Sequence, residues 1–534
     1  MEAACEDIER PGVWTEVMQK FYGEVSDFRS IIEVCFANIK KCEEMRGLNI
    51  YRTSYKDRKI TSVKKNLVYQ MIYQGFMMVT PFLTVPYLAE VFGPGNIGQV
   101  SFVNNIVNYF VMFVALGIGT YGNREIAYIR NDKEKTAHTF IDIFFVHFLW
   151  GTVILAGYIL FCLITEKNRI LYMISCISVL SAILDISWFY AGMEAFRVTI
   201  WRNVLMRLLS IAAIFLFVHS EGDLIVYLGI NVGSTFVGQL LTWCALPGYI
   251  PLIKPDFHQM WKHVRPLLIL FIPIIALNVY HQMDKTIIGL LSQEEELGYY
   301  TYAQSLTAVP VSLFGVVSTV FMPRLTNMTE CHKEKEAKAL LQTMYRIHVF
   351  IGVGAFWGVL GIADIFVVLF LGESFEGSAV LMKYLAVTIP VIGISNVIGN
   401  GYLLPLKKDK IWIWSLVAGG MVNMVADIVS IPIFGAAGAA WGTVLAESAV
   451  LAIQFYFCRR DLSWNQPGRE MLFCTVAGVL MYISIRRILS LGDGWTMLIV
   501  ACLAGSVLYI LICMLPVLYE KRREEGGGRN WRKK

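Results

Sequence analysis

Apolar residues fall into long runs parted by short polar intervals, and the runs repeat from about residue 66 to residue 517. A stretch of about 20 predominantly apolar residues spans the hydrocarbon layer of a bilayer as a helix. The pattern predicts spans over 66–89, 98–121, 137–163, 170–192, 200–218 and 223–246. It predicts further spans over 264–291, 298–322, 340–361, 376–404, 411–433, 435–457, 470–489 and 495–517. Pro432 and Gly435 alone separate two of these runs, whose joint length is about twice one span. The expected fold is an all-α polytopic membrane protein with about 14 transmembrane helices.

Composition changes the picture only by excluding alternatives. Of 534 residues, 56% are hydrophobic and 16% charged, against about 25% charged in soluble domains. A soluble fold this apolar would lack polar groups for its surface, whereas lipid lets the outside be as apolar as the inside. The eleven cysteines form no Cys-x-x-Cys pair and have no histidine at metal spacing. Most, such as Cys162, Cys176 and Cys244, sit inside apolar runs as small hydrophobes. Neither a metal, a disulfide framework nor a cofactor is expected.

Loop charge predicts the orientation. Alternate connections carry the basic residues Arg124, Arg130, Lys133 and Lys135, then Arg197 and Arg202, Lys254 and Lys262, Lys333 and Lys335, Lys407 and Lys408, and Arg459 and Arg460. The intervening connections are acidic instead, with Glu221, Asp223, Glu294, Glu295, Glu296 and Glu373. Arg486 and Arg487 are the one local violation. Both termini are expected in the cytoplasm, in the cell membrane. The net charge of +5 then requires no nucleic-acid partner.

The first sixty residues are polar, without the charged-then-apolar order of a signal peptide. Trp14, Val17, Met18, Phe21, Val25 and Phe28 recur at helical spacing and predict an amphipathic cytosolic helix against the membrane surface. A partner-binding segment, or a later start at Met45, stays open for this stretch. Beyond it the chain repeats itself. Ile97-Gly98 and Leu297-Gly298 each open a helix after a short hairpin, and the two glycines are 200 residues apart. The expected organisation is a cytosolic extension over 1–60 and two pseudo-symmetric six-helix lobes over 61–258 and 259–462. Two additional helices over 463–518 and a basic cytosolic tail over 519–534 complete it. Repeated bundles with a site between them are a transporter architecture.

Short connections after residue 66 leave no room for a soluble catalytic domain, which argues against an enzyme. Gly117-Ile118-Gly119-Thr120-Tyr121-Gly122 fits a dinucleotide fingerprint, but it ends an apolar helix and lacks the preceding strand. Close helix packing is the better account, as it is for Gly229/Gly233 and Gly354/Gly358.

Polar groups at membrane depth are costly and mark internal pathways. Asn278, His281, Gln282 and Lys285 fall on one face of the seventh helix, with Asp284 beside them. Asn66, Gln70, Tyr73 and Gln74 form a similar stripe in the first. These stripes predict the walls of a central cavity. Arg207 lies about two turns into the fifth helix, after Arg202. Either arginine snorkels or grips an anionic headgroup; Arg124 offers a further phosphate contact. Asp185 is expected to pair with Arg197 or Arg202. Asp427 and Glu447 are deeper and are candidates for coupling to an ion.

Three blocks carry a resemblance. One runs from Pro86-Tyr87-Leu88 through Phe92-Gly93-Pro94, Ile97-Gly98 and Ser101-Phe102 to the stretch from Gly117 to Ala127. Another is the stretch from Asp185 to Glu194. The third runs from Asp284-Lys285-Thr286 through Gly298-Tyr299-Tyr300 to Met322-Pro323-Arg324-Leu325. From about residue 62 onward the chain resembles Wzx-type oligosaccharide flippases of the multidrug/oligosaccharidyl-lipid/polysaccharide exporter superfamily. The resemblance implies alternating access and a polyprenyl-diphosphate-linked oligosaccharide as cargo, for capsule, exopolysaccharide or O-antigen synthesis. It implies contact with membrane lipids, a polysaccharide polymerase and glycosyltransferases. Related lipid flippases line the cavity with cations; here the first stripe is uncharged, so Lys285, Arg207 and Arg124 would have to supply the charge. A cation-coupled multidrug antiporter on the same fold is the alternative, with a polytopic polymerase or transferase behind it.

Overall fold

The computed structural model describes residues 63–251, 260–459, 465–492 and 494–530; for 63–72, 74, 78, 272–273, 276–277, 279–281, 465–467 and 516–530 it describes the backbone alone. The expected helix in the first sixty residues lies outside them. Among the described residues the elements are helices, without a strand. Lipid enforces this choice, because a helix satisfies its own backbone donors and acceptors where no water can.

Among the described residues, twelve stretches are long and apolar enough to cross a membrane. The first, Gly75–Ile129, holds two crossings, since helix α1 (Val63–Ala115) is two helices merged across a kink at Gly93. Its backbone there is left-handed (φ 65°). With Val264–Leu291 added, the architecture agrees with the expectation of about fourteen spans.

In chain order the helices after α1 are α2 (Ile118–Ile129), α3 (Lys133–Ile164), α4 (Arg169–Ile183), α5 (Ser187–Gly192), α6 (Phe196–Phe217) and α7 (Leu224–Ala245). The second half continues with α8 (Val264–Leu291), α9 (Glu294–Glu330), α10 (Glu334–Leu371), α11 (Glu376–Ala386) and α12 (Thr388–Asn396). Next come a π-helical stretch over Val397–Leu403, α13 (Asp409–Phe434), α14 (Ala436–Cys458), α15 (Asn465–Leu489) and α16 (Trp495–Asn530). The break between α13 and α14 lies where Pro432 and Gly435 predicted it, with Gly435 at φ 58°. Glu296 accepts a hydrogen bond from the backbone N–H of Ala436 at 2.9 Å, satisfying one orphan donor of the new helix.

Several expected boundaries shift for local reasons. The span over 170–192 is broken, because the Asp185 carboxylate accepts from Ser187 N at 2.8 Å and starts the separate α5. Gly229 and Gly233 meet no neighbour within 4 Å, so the expected close packing there is absent. The packed face of α7 carries Leu224, Leu228, Val232 and Gln239, and the two glycines lie about 100° round the helix from it. Gly354, by contrast, lies against the ring of Tyr509.

Candidate functional site

The two arms that open after the short hairpins cross each other. A Cβ built on Gly98 would collide with Glu294 O, and one on Gly298 with Pro94 O. These contacts are reciprocal at an offset of 200 positions, as a two-fold axis between the helices demands. One turn further in, Ser101 Oγ and Thr301 Oγ1 lie 2.7 Å apart. Lys167 pairs with Glu294 at 3.0 Å and Gln99 donates to Asn168 at 2.6 Å. Hence α1 and α9 are held shut at this end.

Beneath the crossing is a cavity of about 320 Å³, near the lower bound for ligand sites. Asn104, Asn105, Asn108, Ser101 and Tyr227 line one side; Gln282, Lys285, Thr301 and Tyr302 line the other. Lys285 is the charged side chain in this lining. Among the described residues it makes no ion pair, because its neighbour Asp284 turns the other way, about 100° round the helix. Asn105 locks the two walls together, donating to Gln282 O at 3.1 Å and to Thr286 Oγ1 at 2.6 Å. Tyr109 meets the same threonine at 2.8 Å.

Of the predicted stripe in α8, Gln282 and Lys285 thus face the cavity. Asn278 bonds back to Ile274 O at 2.9 Å, while the side chains of His281, Asn66, Gln70 and Gln74 lie outside the described residues. Tyr73 accepts from Asn203 at 3.0 Å. Asn104 and Asn108 escaped the sequence reading, though two asparagines at i, i+4 in an apolar helix are a legible signal.

Asp284 joins a second polar centre. Its carboxylate accepts from Tyr300 OH and from Thr443 Oγ1 at 2.9 Å. Asp427, fully buried, accepts from Asn423 at 3.3 Å and lies within hydrogen-bond reach of Asp284. Two buried carboxyls this close repel unless a proton or a cation lies between them. Their oxygens, with the Asn423 and Thr443 side chains, form a set suited to a hard cation. Glu447 stands one turn beyond Thr443 on α14, half-buried.

The arginines are arranged differently from expectation. Arg202 donates to Gln239 at 2.8 Å and to Asn203 at 2.6 Å. These are neutral partners; Asp185, which accepts from Ser187, makes no direct ion pair with Arg202 or Arg197 among the described residues, though it acts electrostatically on Arg202 as a counter-ion. Arg207 lies close enough to act electrostatically on Tyr227 of the cavity wall, and its buried Nε has no hydrogen-bond partner. Arg124 is exposed, pairs with Glu125 at 3.6 Å and stands over the ring of Tyr121, away from the cavity lining.

At the opposite end, two of the sequence blocks pack on one another. Gly122 of α2 lies against the Trp188 ring, and Gly192 against Ile126. Gly117 (φ 72°) abuts the backbone of Leu267–Phe271 on α8, so the apparent fingerprint is a helix contact. Tyr121 and His263 hydrogen-bond at 2.6 Å. Burial, and then the neighbouring Lys262, push the imidazole of His263 down from its ordinary 6.5 to about 4.

Comparison with known proteins agrees with this geometry. A family model described as "Polysaccharide biosynthesis protein" matches residues 63–329. The chain is 21% identical over 405 residues to a "Putative O-antigen transporter" of Escherichia coli (strain K12), covering 75% of this chain and 97% of that one. It is 20% identical over 283 residues to the "Probable low-salt glycan biosynthesis flippase Agl15" of Haloferax volcanii, covering 52% and 58% respectively. The structure of "Lipid II flippase MurJ, inward closed conformation" superposes with a TM-score of 0.68 at 15% identity, over 85% of this chain and 99% of that one. An inward-facing multidrug resistance MATE family transporter superposes at 0.55 with 12% identity, over 76% and 98%. At such identities the structural likeness is one of fold.

Proposed function

The chain belongs to the polysaccharide biosynthesis protein family, and from that premise we propose that it is a flippase. Its cargo is a polyprenyl-diphosphate-linked oligosaccharide, carried across the cytoplasmic membrane by alternating access. The observation that carries the reading is Lys285, which lines the cavity and makes no ion pair among the described residues, although Asp284 acts on it electrostatically. A buried charge at membrane depth is costly, and a diphosphate entering the cavity would pair with it. Arg207, beside Tyr227, adds positive potential from the flank.

The two six-helix lobes, 61–258 and 259–462, are the moving bodies. With cytoplasmic termini, as the loop charges support, the Gly98–Gly298 crossing faces outward and seals that side. Cargo then enters from the cytoplasm, and parting of α1 and α9 releases it. Coupling to an ion runs through Asp427 together with Asp284, which share one buried oxygen-rich centre. Glycosyltransferases that build the cargo and a polymerase that consumes it are the working partners.

The test is export of lipid-linked glycan by a Lys285→Ala variant that inserts and expresses normally. Lost export is the expected result. Normal export, or drug efflux without glycan transport by the parent chain, overturns the reading.

A further inference from the structure

The geometry points to a sugar-reading wall in the cavity, formed by Asn104, Asn108 and Gln282, that selects an uncharged sugar joined directly to the diphosphate; this rests on the flippase reading above. Asn104 and Asn108 are exposed toward the cavity, and neither amide makes a hydrogen bond among the described residues. They stand four residues apart, so their side chains start about 5–6 Å from each other on one helix face. Each primary amide offers two donors and an acceptor. That mixed inventory suits sugar hydroxyls, which both give and take a hydrogen bond.

Gln282 contributes from the other wall. Its Oε1 is buried with no hydrogen-bond partner, a state that is costly until a donor arrives. A hydroxyl or N-acetyl N–H of a bound sugar supplies one. The spacing between this wall and Lys285 is rigid, since Asn105 ties the Gln282 carbonyl and Thr286 to α1. Asn105 is therefore a positioning residue, already occupied and closed to cargo.

Charge decides the sugar class. With Lys285 taken by phosphate, the remaining lining is amides, hydroxyls and apolar groups. A uronic acid carboxylate would lose water and meet no second cation within the lining itself. The site is also asymmetric: 200 positions away from Lys285, Asn104 and Asn108 stand Val85, Gln304 and Ala308. Lys285 and Asn108 thus have apolar counterparts in the other half, so the phosphate pole is single and the cargo has one orientation. A volume of about 320 Å³ admits the sugars nearest the lipid and leaves the rest of the chain outside, so selection falls on the first sugar.

Equilibrium binding to the full-length chain in nanodiscs tests this with three probes. They are polyprenyl diphosphate alone, the same lipid bearing N-acetylglucosamine, and the same lipid bearing glucuronic acid. The N-acetylglucosamine form should bind on the order of tenfold tighter than the bare lipid, and the glucuronic form no tighter. Asn104→Ala with Asn108→Ala, and separately Gln282→Met, should remove that increment and leave bare-lipid affinity unchanged, which also certifies folding. Lys285→Ala should weaken all three probes. Equal binding of bare and neutral-sugar lipid, an increment that survives the amide variants, or loss of bare-lipid affinity in both amide variants overturns the wall. Equal affinity for the two glycosylated probes overturns the charge selection. A Lys285→Ala variant binding all three as tightly as the parent overturns the flippase reading itself.

Discussion

Ser101 and Thr301 stand 200 residues apart in the chain, yet their hydroxyl oxygens are 2.7 Å apart. The pair lies on the pseudo-two-fold axis that also relates Gly98 to Gly298. With no side chain at either glycine, α1 and α9 approach to backbone contact. A Gly98→Val or Gly298→Val variant should force them apart. Overpacking costs about 1–3 kcal/mol, so a drop in Tm in detergent and loss of glycan export are expected, with membrane insertion retained. Cysteines at 101 and 301, bridged by a short thiol reagent, should arrest transport; continued export by the bridged protein would show that the crossing does not open.

Lys285 answers to charge rather than to bulk. Lys285→Arg should keep a substantial part of export, and Lys285→Met should lose it, although methionine fills similar space. Removing an interaction of a charged hydrogen bond costs about 1.5–3 kcal/mol, which corresponds to roughly a ten- to hundredfold drop in transport rate. Equal rates in the two variants would contradict a diphosphate contact.

Asp284→Asn or Asp427→Asn should each uncouple transport from its driving ion. Either change removes one carboxyl of the pair while leaving a polar group of equal size. Uptake into vesicles under an imposed sodium or proton gradient measures this, and both variants should lose the gradient response. A gradient response retained by both variants would place the coupling elsewhere, with Glu447 the next carboxyl to test.

His263 gives a pH dependence whose sign is fixed by its depressed value of about 4. The unfolded chain binds a proton as pH falls through about 6.5, while the folded chain stays neutral until about 4. Stability therefore declines between these values on acidification and levels off below. Between pH 7 and pH 5 the Tm should fall more in the parent chain than in His263→Asn. Parallel pH profiles would exclude the imidazole as the cause.

The span count, the offset of 200 residues and the Gly435 break were all legible along the chain. Each is a local property. Lipid obliges every crossing segment to bond its own backbone, so length and apolarity suffice to find it. The stripe in α8 was legible in part, since Gln282 and Lys285 do share a face. What periodicity cannot convey is the partner each face meets. Asp284 and Lys285 are neighbours in sequence, and the packing of α8 against α13 and α14 sends them to different centres. Asp427 and Glu447 looked alike as buried acids; only the fold brings Asp427 to Asp284 across 143 positions of chain. Asn104 and Asn108 became candidate ligands because the crossing of two distant helices encloses them. Sequence by itself settled that this is a bundle of membrane helices in two related halves, for the physical reason that lipid constrains each helix separately. Tertiary structure decided which polar groups converge, because convergence depends on the relative rotation and approach of helices far apart in the chain.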